Sequence, residues 1–269
     1  MKSLDQMLMS ISSKIKQKEC KKIEYNSNKK YSERDISKNS VTKSNALVRS
    51  YYRFTLVEKR IMECLISQLN PMSRNLVENE NLELKALDYA NTFQVNPNHA
   101  YIQLSCAVKG LMHKVFSIEN DKKREEYTLM ASASYIEEEG RILCNFNPYI
   151  LHHLINLRDK FTKYPLKNAV EFKSSYTWRM YEILVSWSKD KKITGGVFAG
   201  WFTINVEDLR KMLGVPDSYN FGMFNTQVIN PTKKELLEKP NIGIKIEKIK
   251  NVREVKSLKF TFAEVTTIK

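Results

Sequence analysis

No run of apolar residues in this sequence approaches the roughly 20 that a membrane-spanning helix needs. The opening stretch, "MKSLDQMLMSISSKIKQKECKK", has neither a long apolar centre nor the small-residue cleavage site of a secretory signal. Together these absences give the expectation of a cytoplasmic protein with no membrane partner. Cysteine is also scarce: Cys20, Cys64, Cys106 and Cys144 stand about 40 residues apart, and no pair has the C-x2-C spacing of a zinc site. They read mostly as small buried apolar groups in a reducing compartment.

Catalytic motifs are missing as well. "GGVFAG" (195–200) lacks the lysine of a phosphate-cradling loop, and no G-x-S-x-G elbow occurs. His152 and His153 are adjacent rather than spaced as a His-x-His metal pair, with no acid at ligand spacing. The expectation is no enzyme, no metal and no cofactor. The last shortage is of acids, 30 Asp/Glu against 44 Lys/Arg, for a net charge of +14 in 269 residues. Such a chain is attracted to polyanions, and with membrane set aside that means nucleic acid. Its 42% hydrophobic content excludes wholesale disorder.

Residues 1–44 stand apart, with 11 Lys/Arg against 5 Asp/Glu and a net of +6. A short amphipathic helix on Leu4, Met7, Leu8, Ile11 and Ile15 precedes a stretch too polar to pack, so this segment reads as a basic, mobile arm. Order is expected from "NALVRSYYRFTLVEKRIMECLISQL". There Thr55 and Glu58 form a capping box, Val57, Ile61, Leu65 and Leu69 a core stripe, and Pro71 a stop.

The chain then repeats itself. "LELKALDYANTFQVNPNHAYIQLSCAVKGLMHKVF" (82–116) and "FTINVEDLRKMLGVPDSYNFGMFNTQVINPTKKELL" (202–237) align without a gap at an offset of 120. Leu82 meets Phe202, Ala86 Val206, Tyr89 Leu209, Phe93 Leu213, Leu104 Phe224 and Val108 Val228; upstream, Ile61 meets Tyr181 and Leu65 meets Val185. Each copy predicts a helix, a short strand, a helix of about eight residues, a turn and a longer helix. In the second copy Asn205 is expected to cap the short helix and Gly214 to close it. Alternating strands follow each copy, with turns at Glu138–Gly140 and Asn251–Glu254. "NPYILHHLINLRDKFTKYPLKNAVEFKSS" reads as a connecting helix and turn. The fold class is therefore α+β: two tandem winged-helix domains, each a helix-turn-helix with a β-hairpin, over residues 45–165 and 166–269.

A helix that enters the major groove needs an apolar back and an acid-free front of polar groups. In the second copy Thr226, Gln227, Asn230, Lys233 and Lys234 meet that need: amides pair with adenine, and lysine reaches guanine or phosphate. Phe224, Val228, Thr232 and Leu236 form the back, at a spacing of four, and Pro231 interrupts the run with an expected bend or break. The equivalent front in the first copy is His99, Gln103, Cys106, Lys109, Gly110 and His113, which reads either as a base reader or as a protein interface. Lys245, Lys248, Lys250, Arg253 and Lys256 give the second wing a basic character suited to phosphates. Lys173, Ser174 and Ser175 open a helix whose free N–H groups suit a phosphate, with Arg179 one turn on.

"SSYTWRMYEILVSW", "WFTINVEDLRKMLGVPDSYNFGMFNTQVINPTKKELLEK" and "SLKFTF" resemble the C-terminal half of the iteron-binding plasmid replication initiators, the Rep_3-type family. "NALVRSYYRFTLVEKRIMECLI" and "LMASASYIEEEGRILCNFNPYILHHL" with "FTKYPL" resemble the N-terminal half. The resemblance covers roughly residues 45–263. It implies a protein that binds direct repeats in double-stranded DNA at a plasmid origin, helps open an AT-rich segment, and recruits the host initiator and replicative helicase. It also implies a monomer–dimer equilibrium in which dimers, formed through the first winged helix, repress the protein's own gene. Positions 226 and 227 are often basic in the family, whereas this chain has Thr and Gln. Two other readings stay open from the sequence: a winged-helix transcriptional repressor without initiation activity, and a rolling-circle nickase.

Overall fold

The computed structural model describes residues 34–74, 80–120, 123–188, 198–252 and 254–265. Strand β1 (Ser40–Ser44) leads through a single turn, α1 (Asn45–Val48), to α2 (Leu56–Ile66). At its start the Thr55 hydroxyl accepts from the Glu58 N–H and the Glu58 carboxylate from the Thr55 N–H, the reciprocal cap expected there. Ile61 and Leu65 are fully buried beneath it, with Leu69 beyond the helix end.

Then come β2 (Leu82–Lys85), α3 (Ala86–Phe93) and α4 (Pro97–Met112), followed by β3 (Val115–Asn120), β4 (Lys123–Thr128), β5 (Met130–Ile136) and β6 (Arg141–Phe146). The second copy has α6 (Ser175–Trp187), β8 (Ala199–Asn205), α7 (Val206–Leu213), a composite recognition helix, β9 (Ile242–Asn251) and β10 (Glu254–Glu264). Both copies carry a three-stranded antiparallel sheet with the last strand in the middle, β2-β6-β5 and β8-β10-β9. That is the winged-helix arrangement, twice. The offset of 120 holds for the backbone of the short helix as well as for apolar residues. The bounds of α3 and α7 coincide under it, and both helices end on a left-handed residue, Gln94 (φ 52°) and Gly214 (φ 67°). Val95 N–H and Val215 N–H then fold back on the equivalent carbonyls of Ala90 and Arg210, at 3.1 and 2.9 Å.

Four expectations differ from what is seen. The arm does not extend to residue 44: Ile36, Val41 and Lys43 are buried, and β1 pairs along its length with β7 (Phe161–Pro165). The helix expected on residues 4–15 lies outside the described residues. The connecting segment is one helical turn, α5 (Pro148–Leu151), followed by β7 rather than a longer helix. Strand β7 alternates buried Thr162 and Tyr164 with exposed Phe161 and Lys163, a period of two that a helix does not produce. Ahead of the first wing there is an additional hairpin, β3–β4, whose Ser117 bridges Tyr51. Asn205 stands at the N-cap of α7, yet its amide accepts from Ser257 and donates to Asp208, so no backbone donor is capped.

The recognition helix is three consecutive pieces: α8 (Phe221–Phe224), a π-helical turn (Asn225–Ile229) and α9 (Asn230–Glu238). Asn230 N–H reaches back five residues to the Asn225 carbonyl. Pro231 follows at once, where its missing N–H and its ring would break an α-helical ladder; the wider turn absorbs both. The π turn also explains the spacing of four. Phe224, Val228, Thr232 and Leu236 are all buried. Three α turns take about 10.8 residues, so one inserted residue brings positions 12 apart back to the same face.

Candidate nucleic-acid interface

Leu209, Met212 and Leu213 of helix α7 are buried in the same core as Phe224, Val228 and Leu236 of the recognition helix. The turn between them is held by Arg210, whose guanidinium donates to the Pro216 carbonyl at 3.2 Å and lies over the Phe224 ring. Gly214 is needed here twice over. Its φ is left-handed, and a Cβ would lie 2.8 Å from the Tyr52 carbonyl oxygen and 3.0 Å from the Arg53 Cα. Asn220 opens the recognition helix by accepting from the Met223 N–H at 2.9 Å.

Thr226, Gln227, Asn230, Lys233 and Lys234 are all exposed, on the side opposite the buried four. Within that front no carboxylate intervenes. Lys234 alone of the five has an acid near it, Glu238 at 3.7 Å one turn further on. Thr226 differs from expectation: its hydroxyl is turned back onto the Gly222 carbonyl at 3.0 Å and is not presented outward. Between this helix and the wing runs a cleft of about 220 Å³, lined by Phe221, Asn225, Ile229, Asn230, Lys233, Ile246, Lys248 and Leu258.

The wing turn is at Val252, between Asn251 and Glu254, as expected. Lys250 is exposed at its flank, and Lys248 lies over the Phe221 ring, tying wing to helix. Lys245 and Lys256 are paired with Glu247 and Glu254, which lowers their value as phosphate contacts. Arg253 lies outside the described residues.

On the first copy's helix α4, His99, Cys106, Lys109 and His113 are exposed and Gln103 is half-buried near the Tyr89 hydroxyl. Gly110 serves the interior: a Cβ there would fall on the Glu58 carboxylate of the capping box, so the glycine lets α2 and α4 cross closely. Edge strand β5 shows small side chains, Ala131, Ser132 and Ser134, to solvent.

The expected phosphate site at the start of α6 is not formed. Lys173 is exposed, but its N–H donates to the Glu235 carboxylate at 2.6 Å, and the Ser174 hydroxyl accepts from the Tyr176 N–H as the cap. Arg179 is 3% exposed and faces inward, so it reaches no ligand at the surface. Its guanidinium donates to the carbonyls of Ser50 (3.0 Å) and Met212 (2.9 Å), lies on the Tyr52 ring and pairs with Glu182. Arg179, in the "SSYTWRMYEILVSW" stretch, therefore lies at a seam where α6 meets the residues before α2 and the end of α7.

That seam holds three cations, Lys43, Lys59 and Arg179, against two carboxylates, Glu63 and Glu182, all buried. Lys43 and Lys59 share Glu63 Oε1 at 2.8 and 2.5 Å, and Lys59 reaches Glu182 Oε2 at 2.7 Å. Lys43 also pairs with Glu182, and Tyr164 donates its hydroxyl to the same carboxylate at 2.8 Å. Lys59 and Arg179 occupy the same position in the two copies, 120 residues apart. Burial alone would raise the Glu182 carboxyl's pKa; the three cations outweigh it and hold the group well below the carboxylate range. Sequence reasoning missed this cluster because its lysines and glutamates read as solvated faces.

Among the described residues no group of His, Cys, Asp and Glu is placed to hold a metal, and no helix is long and apolar enough to cross a membrane. His153 is half-buried, its Nδ1 at 2.9 Å from the Ser44 hydroxyl. Cys64 and Cys144 are buried as expected, and Cys106 is exposed.

Residues 40–185 match the family model "Initiator Replication protein, WH1", and residues 205–262 match "Initiator Rep protein, WH2". A replication initiation protein of Escherichia coli is 27% identical over 212 residues, a match covering 77% of this chain and 65% of that protein's length. The crystal structure of Pi initiator protein in complex with iteron DNA has the same fold, at a TM-score of 0.68 and 19% identity, over 86% of this chain and 99% of that one.

Proposed function

This chain belongs to the initiator replication protein family, and we propose that it binds direct repeats in double-stranded DNA at a plasmid origin of replication. The second winged helix supplies base readout through Gln227 and Asn230, with Lys233, Lys234 and Lys250 on phosphates. The first winged helix supplies backbone contacts through Lys109 and Gln103 and the surface for self-association, for which the open edge and small side chains of β5 are suited. Bound protein then promotes opening of the origin and recruits host initiator and helicase; as a dimer it represses its own gene. The observation that carries this reading is the exposed, acid-free front of the recognition helix, bordered by a cleft to a basic wing.

Fluorescence anisotropy on origin repeats and on random duplex tests the division of labour. Asn230→Ala is expected to relax base preference, at about 1–3 kcal/mol for a lost base contact, whereas Lys233→Ala weakens both duplexes alike. Equal losses on both duplexes for both variants would rule it out. Initiation is tested separately, by whether a plasmid carrying only this gene and its upstream repeats replicates; repression without replication would make the protein a transcriptional repressor.

A further inference from the structure

The first turn of the recognition helix is apolar where a groove-facing helix is expected to be polar. Met223 is 41% exposed and precedes Thr226 by three residues, so the two side chains are neighbours on the front that Gln227 and Asn230 continue. The Thr226 hydroxyl is occupied by the Gly222 carbonyl at 3.0 Å, with Met223 O also within 3.4 Å, which leaves the γ-methyl as its outward group. Gly222 carries no side chain to shade either. In the major groove the only apolar group on a base edge is the thymine 5-methyl, and amide side chains pair with adenine across the same kind of base pair.

We propose that Met223 and the Thr226 methyl form a thymine-methyl reading surface, and that with Gln227 and Asn230 they direct the recognition helix to a segment of A·T pairs. This rests on the proposed DNA binding by the same helix and deepens it to a base class. Thr226 is then a specificity residue by its methyl and not by its hydroxyl.

The test starts from a duplex library randomised over about two helical turns, selected with the whole chain. In the enriched duplex each thymine is replaced in turn by deoxyuridine, which lacks only the methyl. One or two replacements are expected to weaken binding about fourfold each, the worth of one buried methyl-sized group. Met223→Ala should lose sensitivity to one of them, and circular dichroism should show it folded, because its side chain is at the surface. Thr226→Val, which keeps the methyl, should retain the second sensitivity; Thr226→Ser, which keeps the hydroxyl, should lose it. An enriched sequence indifferent to deoxyuridine, or a Thr226→Ser variant that behaves as the parent, overturns the inference while leaving DNA binding intact. Failure to enrich any sequence removes the functional reading itself and the inference with it.

Discussion

Three buried cations converge on the buried Glu182: Lys43, Lys59 and Arg179 all pair with it, and Tyr164 donates to it. Glu182→Gln keeps the shape but leaves three buried cations facing Glu63 alone, and breaking such a network costs about 3–5 kcal/mol. Urea unfolding at neutral pH measures it. The pH dependence has a definite sign. The folded carboxyl's pKa is depressed below its ordinary value of 4.5, so its contribution is complete above that value and is lost progressively as pH falls below it. The parent's stability is therefore expected to fall on acidification below about pH 5, and the glutamine variant's profile to be flatter over that range. Lys43 shows why such a residue is hard to read from sequence. It sits in a segment rich in Lys, Asn and Ser, and its burial depends on acids at positions 63 and 182.

Single elements were legible where their signals are local. The capping box of α2, the apolar stripes and the left-handed close of α7 are each written within a few residues, and each is present. Strand β1 was not legible, since its partner lies more than 100 residues away in β7 and its outward appearance is polar. The recognition helix is an intermediate case. Its spacing of four and Pro231 were visible as an anomaly, and only the π turn gives both one cause. The close of the short helix offers a paired prediction. Gly214→Ala places a side chain in a left-handed conformation and against the Tyr52 and Arg53 backbone, at a cost of about 2 kcal/mol or more. Gln94→Gly, at the equivalent point of the first copy, removes a left-handed side chain and should raise the melting temperature slightly. Differential scanning calorimetry of the two variants checks the opposite signs.

At the scale of the molecule, the duplication is a matter of packing as well as of topology. Lys59 and Arg179, equivalent by the offset of 120, meet at one carboxylate, and Arg179 grips Ser50 on one side and Met212 on the other. The core is correspondingly continuous, from Ile36 and Val41 through Trp178 to Phe260. This seam has a metrological consequence. Under the proposed function, two DNA-contacting heads packed through one buried network act as a caliper: once one is seated, the other is delivered at one distance and one rotation. An insertion of about five base pairs between the two contacted halves of a site turns them to opposite faces of the duplex. Gel shift should then show affinity falling to that of a single head, and a further five base pairs should not restore it, because the face returns but the distance does not. Under the proposed function, the residue that fixes the jaw opening is Arg179, which touches no DNA at all.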